Sequence, residues 1–326
     1  MRLIILALAL LIATPAAACD ISRPIVFAGF DWESAQFHTA VARKILEAGY
    51  GCKTDVVVGT TIPLIQGLAQ GDIDVAMEVW KDNVTEVWTR AMARGQVREV
   101  GVNFPDAVQG WYVPRYVVQG ANAPAAGLRS VTDLPRFKTL FRDPEEPKKG
   151  RFYNCPSGWN CEIVNSAKLR AYNLEADFTN FRPGTGAALA AAIAGAVLRR
   201  EPVLAYYWGP TWVLGKYDLV ALDEPAFNET DWKGLIADPK YPRAVAYPKV
   251  AVWIGASAKF AAASPETIAF LKAYRTTSAQ VDAALAVMQD KNGDADAAAK
   301  QFLKDHADIW QAWVTPEIAN KVRAAL

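Results

Sequence analysis

The 326-residue chain is poor in histidine, with two, and carries only four cysteines. His38 falls inside an apolar helix pattern, so the two histidines make no zinc set, and nothing in the sequence calls for a metal or another cofactor. A charge imbalance is missing as well: 35 basic residues face 34 acidic ones. A polyanion partner needs a basic patch or a net basic balance, and neither is present, so nucleic acid is excluded as a partner. Beyond the N-terminal segment no stretch supplies some twenty uninterrupted apolar residues, which rules out a membrane-spanning helix in the rest of the chain. The run PGTG at 183–186 lacks the lysine and hydroxyl pair of a phosphate loop. No internal repeat is present.

The N-terminal segment has the three parts of a secretory signal: Met1 and Arg2, an apolar run from Leu3 to Ala13, and TPAAA before Cys19. Residues 1–18 are expected to be removed, leaving a periplasmic chain that starts at Cys19. A lipid-modified Cys19 is the alternative, although Ala16 stands where such signals favour leucine. Loss of Arg2 brings the basic count to 34, equal to the acidic count. What remains is longer than the roughly 250–300 residues at which one core usually becomes two. In an exported chain disulfides persist, and Cys19, Cys52, Cys155 and Cys161 form an even set. Sequence alone leaves three pairings open. Cys155 with Cys161 is the local one and leaves Cys19 for Cys52, and their spacing is that of structural staples, not of a redox site.

PIVFAG at 24–29 is a strand candidate, followed by a helix from Ser34 with Phe37, Val41, Ile45 and Leu46 on its apolar stripe and Gly49 as its stop. TDVVVG and DIDVAMEV are further strands, separated by the short helix TIPLIQGLAQG. This βαβαβ order implies an α/β fold with a mostly parallel sheet in each lobe. After Trp111 the chain is turn-rich, with RDPEEPKKG as a surface connection. CEIVNSAKLRAYNL and the run after PGTG are helices, PVLAYYW and VAVWIGAS are strands, and Ser264, Pro265 and Glu266 open a helical C-terminal region with a cap, a first-position proline and an acid. The simplest division assigns 20–108 and 250–326 to one lobe and 109–249 to the other, with two hinge crossings.

Trp32 lies just beyond the first strand, Trp80 ends MEVW and Trp208 ends AYYW. Ligand crevices in parallel α/β sheets lie at the carboxyl ends of strands, so these three converge. Trp159 sits between Cys155 and Cys161, where a disulfide would order its loop before binding, and Trp111 lies near the proposed crossing as a rim candidate. Several indole faces around one volume suit a methylated ammonium, which has no N–H to donate but keeps its charge. Cation–π attraction then replaces hydrogen bonding, at roughly 2 kcal/mol for a desolvated contact. Glu78 shares a strand face with Trp80, and Glu33 adjoins Trp32; either would complement an ammonium or accept from a hydroxyl. Asn154, Ser157 and the backbone of the 155–161 loop are candidates for a carboxylate or N-oxide, and Arg182 with the PGTG turn is an anion site or an ordinary cap.

FDWESAQ, EAGYGCKTDVVVGTT, DIDVAMEVW, CPSGWNCE, PGTGAAL and AYYWGPTWVLGKYDLVALDEP occur in this order, and in them the chain resembles the glycine betaine, proline betaine and choline substrate-binding proteins of ABC transporters, the OpuAC-like family. The resemblance covers nearly all of the mature chain. It implies a type II periplasmic-binding-protein fold that closes on a quaternary amine and delivers it to membrane permease subunits, with no catalytic step. It carries the cage role to Trp32, Trp80 and Trp208, extends it to Trp159, and reaches Trp111 less directly. Glycine betaine is the first ligand expected, then choline, trimethylamine N-oxide, proline betaine or carnitine. Gly209 departs from relatives with a larger polar residue there, leaving Trp212 and the contacts to a ligand's tail open. The alternatives are a binding protein for another small polar solute such as an amino acid, and an exported hydrolase using Glu33 and Glu78.

Overall fold

The computed structural model describes residues 19–82 and 85–326, so the expected signal peptide lies outside the described residues. β1 (Ile25–Phe30) pairs in parallel with β2 (Thr54–Gly59) and β3 (Val75–Val79). The apolar stripe seen in the sequence buries α1 (Glu33–Tyr50), with Phe37, Val41, Ile45 and Leu46 all inside, and α2 (Thr61–Gln70) connects β2 to β3. The helix does not stop at Gly49 as expected. It runs to Tyr50, and Gly51 adopts the left-handed conformation at φ 68° that ends it. Gly49 is instead a close approach: a β-carbon there would lie 2.6 Å from Ile318 Cγ2.

β4 (Val97–Pro114) spans eighteen residues and belongs to two sheets. Its first half lies antiparallel to β9 (Val250–Ser257), which also pairs with β3. Its second half lies antiparallel to β7 (Leu204–Gly209) and β8 (Leu219–Ala221). β5 (Gly150–Tyr153) joins β6 (Phe178–Phe181) and β7 in parallel. The strand order is β2-β1-β3-β9-β4-β7-β5-β6. Each lobe is thus parallel on one side and antiparallel where the crossing strand enters. Sequence reading missed β4 because Gly101, Pro105 and Gly110 punctuate it; register shifts between Glu99 and Ala107 absorb these residues without ending the ladder.

In the second lobe, α3 (Asn160–Ala171) follows the cysteine loop, and α4 (Gly186–Leu198) begins at Thr185, whose hydroxyl accepts from the Ala188 N–H. The PGTG turn is therefore a helix cap, and Arg182 pairs with Glu162 at 2.5 Å. Both disulfides are present, Cys19–Cys52 and Cys155–Cys161. At the C-terminal helices Ser264 makes no capping bond; the Asp20 carboxylate, far away in sequence, accepts from the Glu266 and Thr267 N–H groups. Among the described residues no helix is long and apolar enough to cross a membrane.

The second lobe buries an ion pair, Lys168 Nζ to Glu224 Oε2 at 2.5 Å. The ammonium also lies 4.0 Å from the centre of the Tyr247 ring, and the Tyr172 hydroxyl donates to Glu224 at 2.7 Å. Removing one partner leaves the other as an uncompensated buried charge, which costs about 3–5 kcal/mol. Lys168→Ala is expected to destabilise the protein by that amount in urea unfolding; a loss under about 1 kcal/mol would show that the pair contributes little.

Candidate functional site

Four indoles meet between the lobes. Trp32 is the residue that joins β1 to α1, and Trp80 follows β3 directly. Trp208 lies near the end of β7, and Trp159 immediately precedes α3, within the loop closed by Cys155 and Cys161. The carboxyl ends of β1, β3 and β7 thus deliver three rings to one place, and the disulfide loop delivers the fourth. Trp159 stands edge-on to both Trp32, with ring centres 5.2 Å apart, and Trp208, at 5.4 Å. Phe30 stacks behind Trp32 at 4.5 Å, and Tyr206 stacks beside Trp208 at 6.2 Å.

These rings enclose a cavity of about 40 Å³, against the ~10–15 Å³ that one water occupies by the same measure. Its wall is completed by Thr61, Ile65, Glu78, Val79, Gln109, Asn160, Cys161 and Tyr206. It is sized for a compact solute and not for a peptide. Among the described residues it has one acid, Glu78, and no lysine or arginine.

Three of the indole N–H groups are held by carboxylates, Glu78 in the cavity wall and Asp31 beside it. Trp32 donates to Glu78 Oε2 at 2.7 Å, and Trp80 donates to the same oxygen at 3.2 Å. Trp159 donates across the cleft to Asp31 Oδ1 at 2.7 Å. Burial pushes the Glu78 carboxyl up to about 7, against the pull of the indole bonds, and burial raises Asp31 as well. His38 lies behind Glu78, Nε2 to Oε1 at 3.8 Å, and its own burial lowers it to about 3, so it is neutral. Its Nδ1 is hydrogen-bonded to the Tyr274 hydroxyl at 2.7 Å. The cleft is closely shut around Trp159: a β-carbon on Gly158, at φ 89°, would lie 2.7 Å from Thr60 Oγ1, and one on Gly186 would lie 2.8 Å from the Trp159 ring.

The structure thus brings together Trp32, Trp80, Trp159, Trp208 and Glu78. It does not bring Trp111, which is fully buried against Phe152 at 4.2 Å and donates to Asn165 Oδ1 at 2.8 Å. Glu33 lines a neighbouring depression with Asp31, Gly186 and Thr211, and burial raises it to about 6. Asn154 is inside the second lobe, accepting from the Cys155 N–H at 2.7 Å and from Asn165 Nδ2 at 2.9 Å, so it holds the cysteine loop. Ser157 is exposed at the loop's tip. Sequence reasoning missed Tyr206, Gln109 and Asp31. Two-residue alternation from Trp208 would have found Tyr206; Gln109, which accepts from the Tyr206 hydroxyl at 2.8 Å, was hidden with β4; Asp31 gave no signal.

Two α/β lobes that share the strand β4, closed over a ring-lined cavity, define a solute-binding protein of the periplasmic type. Residues 23–305 match the substrate-binding domain of the ABC-type glycine betaine transport system, OpuAC, and the chain belongs to that family. It is 23% identical to the trimethylamine N-oxide-binding protein of Pelagibacter ubique over 90% of this chain and 91% of that one. It is 24% identical to the glycine betaine/proline betaine-binding periplasmic protein of Salmonella typhimurium, over 86% and 85%. In fold it is similar to an ABC-transporter choline-binding protein in complex with choline, at TM-score 0.72 and 19% identity, covering 94% of this chain and 98% of that one. Lactococcal OpuAC in its closed form with glycine betaine gives TM-score 0.70 and 18% identity, covering 90% and 100%. The chain is a non-catalytic, periplasmic substrate-binding component of an ABC transporter.

The Glu78 carboxyl has a stability consequence whose sign is fixed. Its folded-state value, about 7, lies above the ordinary 4.5, so the folded state holds the proton more tightly than the unfolded state does. Folding is therefore penalised progressively as pH rises from 4.5 to about 7, and the full penalty, on the order of 3 kcal/mol, persists above that. Glu78→Gln is expected to stabilise the unliganded protein at pH 8 and to change it little at pH 4.5. Denaturant midpoints at the two pH values check this, and an equal effect at both would refute it.

Proposed function

We propose that the cavity captures a small methylated-ammonium osmolyte, with glycine betaine, choline and trimethylamine N-oxide as the members to test first. The observation that carries this reading is four indoles around one volume that, among the described residues, no lysine or arginine lines. A methylated ammonium offers no N–H to a directional acceptor, so its binding energy must come from ring faces and methyl contacts, which is what the wall presents. Trp32, Trp80, Trp159 and Trp208 are assigned to the ammonium. Thr61, Gln109 and Asn160 are the polar groups within reach of its tail.

Residues 20–108 with 250–326 act as one lobe and 109–249 as the other. The double membership of β4 and the return of the chain in β9 support that division. In an open form Trp32 and Trp80 offer half of the site; closure brings Trp159 and Trp208 and excludes water. Closure around ligand gives permease subunits of the membrane a shape that distinguishes loaded from empty protein, while the energy for transport comes from other subunits.

Calorimetric titration of the purified protein with glycine betaine, choline and trimethylamine N-oxide is expected to show one site for at least one of them. No binding by these three, or by proline betaine or carnitine, would exclude the class. Trp80→Ala is expected to weaken the best ligand at least about tenfold, or roughly 1.4 kcal/mol, with the fold intact by circular dichroism. An unchanged affinity would remove Trp80 from the site.

A further inference from the structure

Three of the four cage indoles donate their N–H to a carboxylate. An indole N–H lies in the plane of its ring, so a carboxylate bound there fixes how the ring faces are turned without occupying the cavity. It also places negative charge at the ring edge, and hydrogen-bonded groups polarise one another, so the ring face gains electron density. We propose that Glu78 and Asp31 are positioning residues that charge the cage from behind, so that affinity depends on the net charge of the solute: cations gain from both groups, and zwitterions gain less because their anionic end is repelled. This rests on the cavity being a methylated-ammonium site.

The two carboxylates act at different stages. Glu78 lies on β3 and binds the indoles that flank β1 and β3, so Trp32 and Trp80 are set within one lobe. Asp31 follows β1, but its indole, Trp159, belongs to the other side of the cleft, so that bond exists only when the cleft is shut. Among the described residues no charged group neutralises Glu78. The groups facing it are the two indoles, the Ser34 hydroxyl, neutral His38 from α1 and, beyond His38, the Tyr274 hydroxyl; no lysine or arginine lines the cavity among the described residues. A cation in the cage is the counter-charge that this arrangement lacks.

Glu78→Gln and Asp31→Asn each retain an oxygen that accepts the indole bond while removing the charge, so they separate the charge from the geometry. In calorimetry at pH 8 each variant is expected to weaken choline, a net cation, about tenfold or more and glycine betaine, a zwitterion, by no more than about threefold. Between pH 8 and pH 5.5 wild-type affinity for choline is expected to fall about tenfold as Glu78 takes up a proton, and by no more than about threefold in Glu78→Gln, where only the other burial-raised acids, Asp31 and Glu33, titrate. Equal losses for the two ligands, no loss for choline, or a fall beyond about threefold in Glu78→Gln would overturn the proposal and leave the ligand class standing. Should Glu78→Gln fail to fold, Asp31→Asn, at a more exposed position, carries the same comparison. A wild-type protein that binds neither ligand, nor trimethylamine N-oxide, would instead bring down the ligand class on which the proposal rests.

Discussion

A buried indole must find an acceptor for its N–H or leave a desolvated donor, and much of this structure follows from how that requirement is met. Where the acceptor is a carboxylate at the cavity, as for Trp32, Trp80 and Trp159, the ring is turned with its polar edge outward and its face free. Where the acceptor lies in a lobe's interior, the ring becomes packing. Trp111 gives its N–H to Asn165, and Trp310 gives its own to the Leu303 carbonyl. For these five rings the acceptor goes with the role, but a carboxylate alone does not make a cage: Trp88 gives its N–H to Glu99 and is buried away from the cavity.

The same economy connects the cage to the crossings. Asn165 Oδ1 accepts from Trp111 on β4 and from the Tyr247 hydroxyl, at 2.9 Å, just before β9. Both β4 and the segment that leads into β9 are thus anchored on one side chain of α3. That helix begins just after Trp159, and the Asn165 amide reaches back to Asn154, which fixes the start of the cysteine loop. Buried networks of this kind are rigid when fully satisfied. Such a unit ties the ring of Trp159 to β4 and to the segment before β9, so Trp159 is held as part of a body rather than as a loose loop. Trp232 adds a second contact across the cleft through the Asp82 carbonyl, at 3.2 Å.

Much of this was legible in the sequence because it depends on local order. A tryptophan at a strand's carboxyl end or within two residues of it, three times over, puts rings at carboxyl ends whatever the rest of the chain does, and the cysteine loop carries its own constraint. What was illegible depends on distant partners. Ser264 has every local attribute of a cap, yet the cap is Asp20, brought there by the tie between Cys19 and Cys52. Gly49 has the composition of a helix stop, yet its smallness serves the helix at 316–325. β4 was lost because proline and glycine usually end strands, and only its two partner sheets carry it through. Asp31 was overlooked because its significance is a bond to a residue 128 positions away.

The disposition of the acids also separates binding from hydrolysis. A general acid and base pair needs two carboxyls with free oxygens facing one reacting centre. Glu33 and Glu78 share no cavity: Glu33 opens into the depression beside Gly186, and Glu78 commits one oxygen to two indoles. With its oxygen held in the ring plane, Glu78 sets potential and orientation and does not meet a scissile bond. Glu78, among the described residues the one acid of the cavity, thus gives one oxygen to two rings, and the ring faces are left to meet the solute.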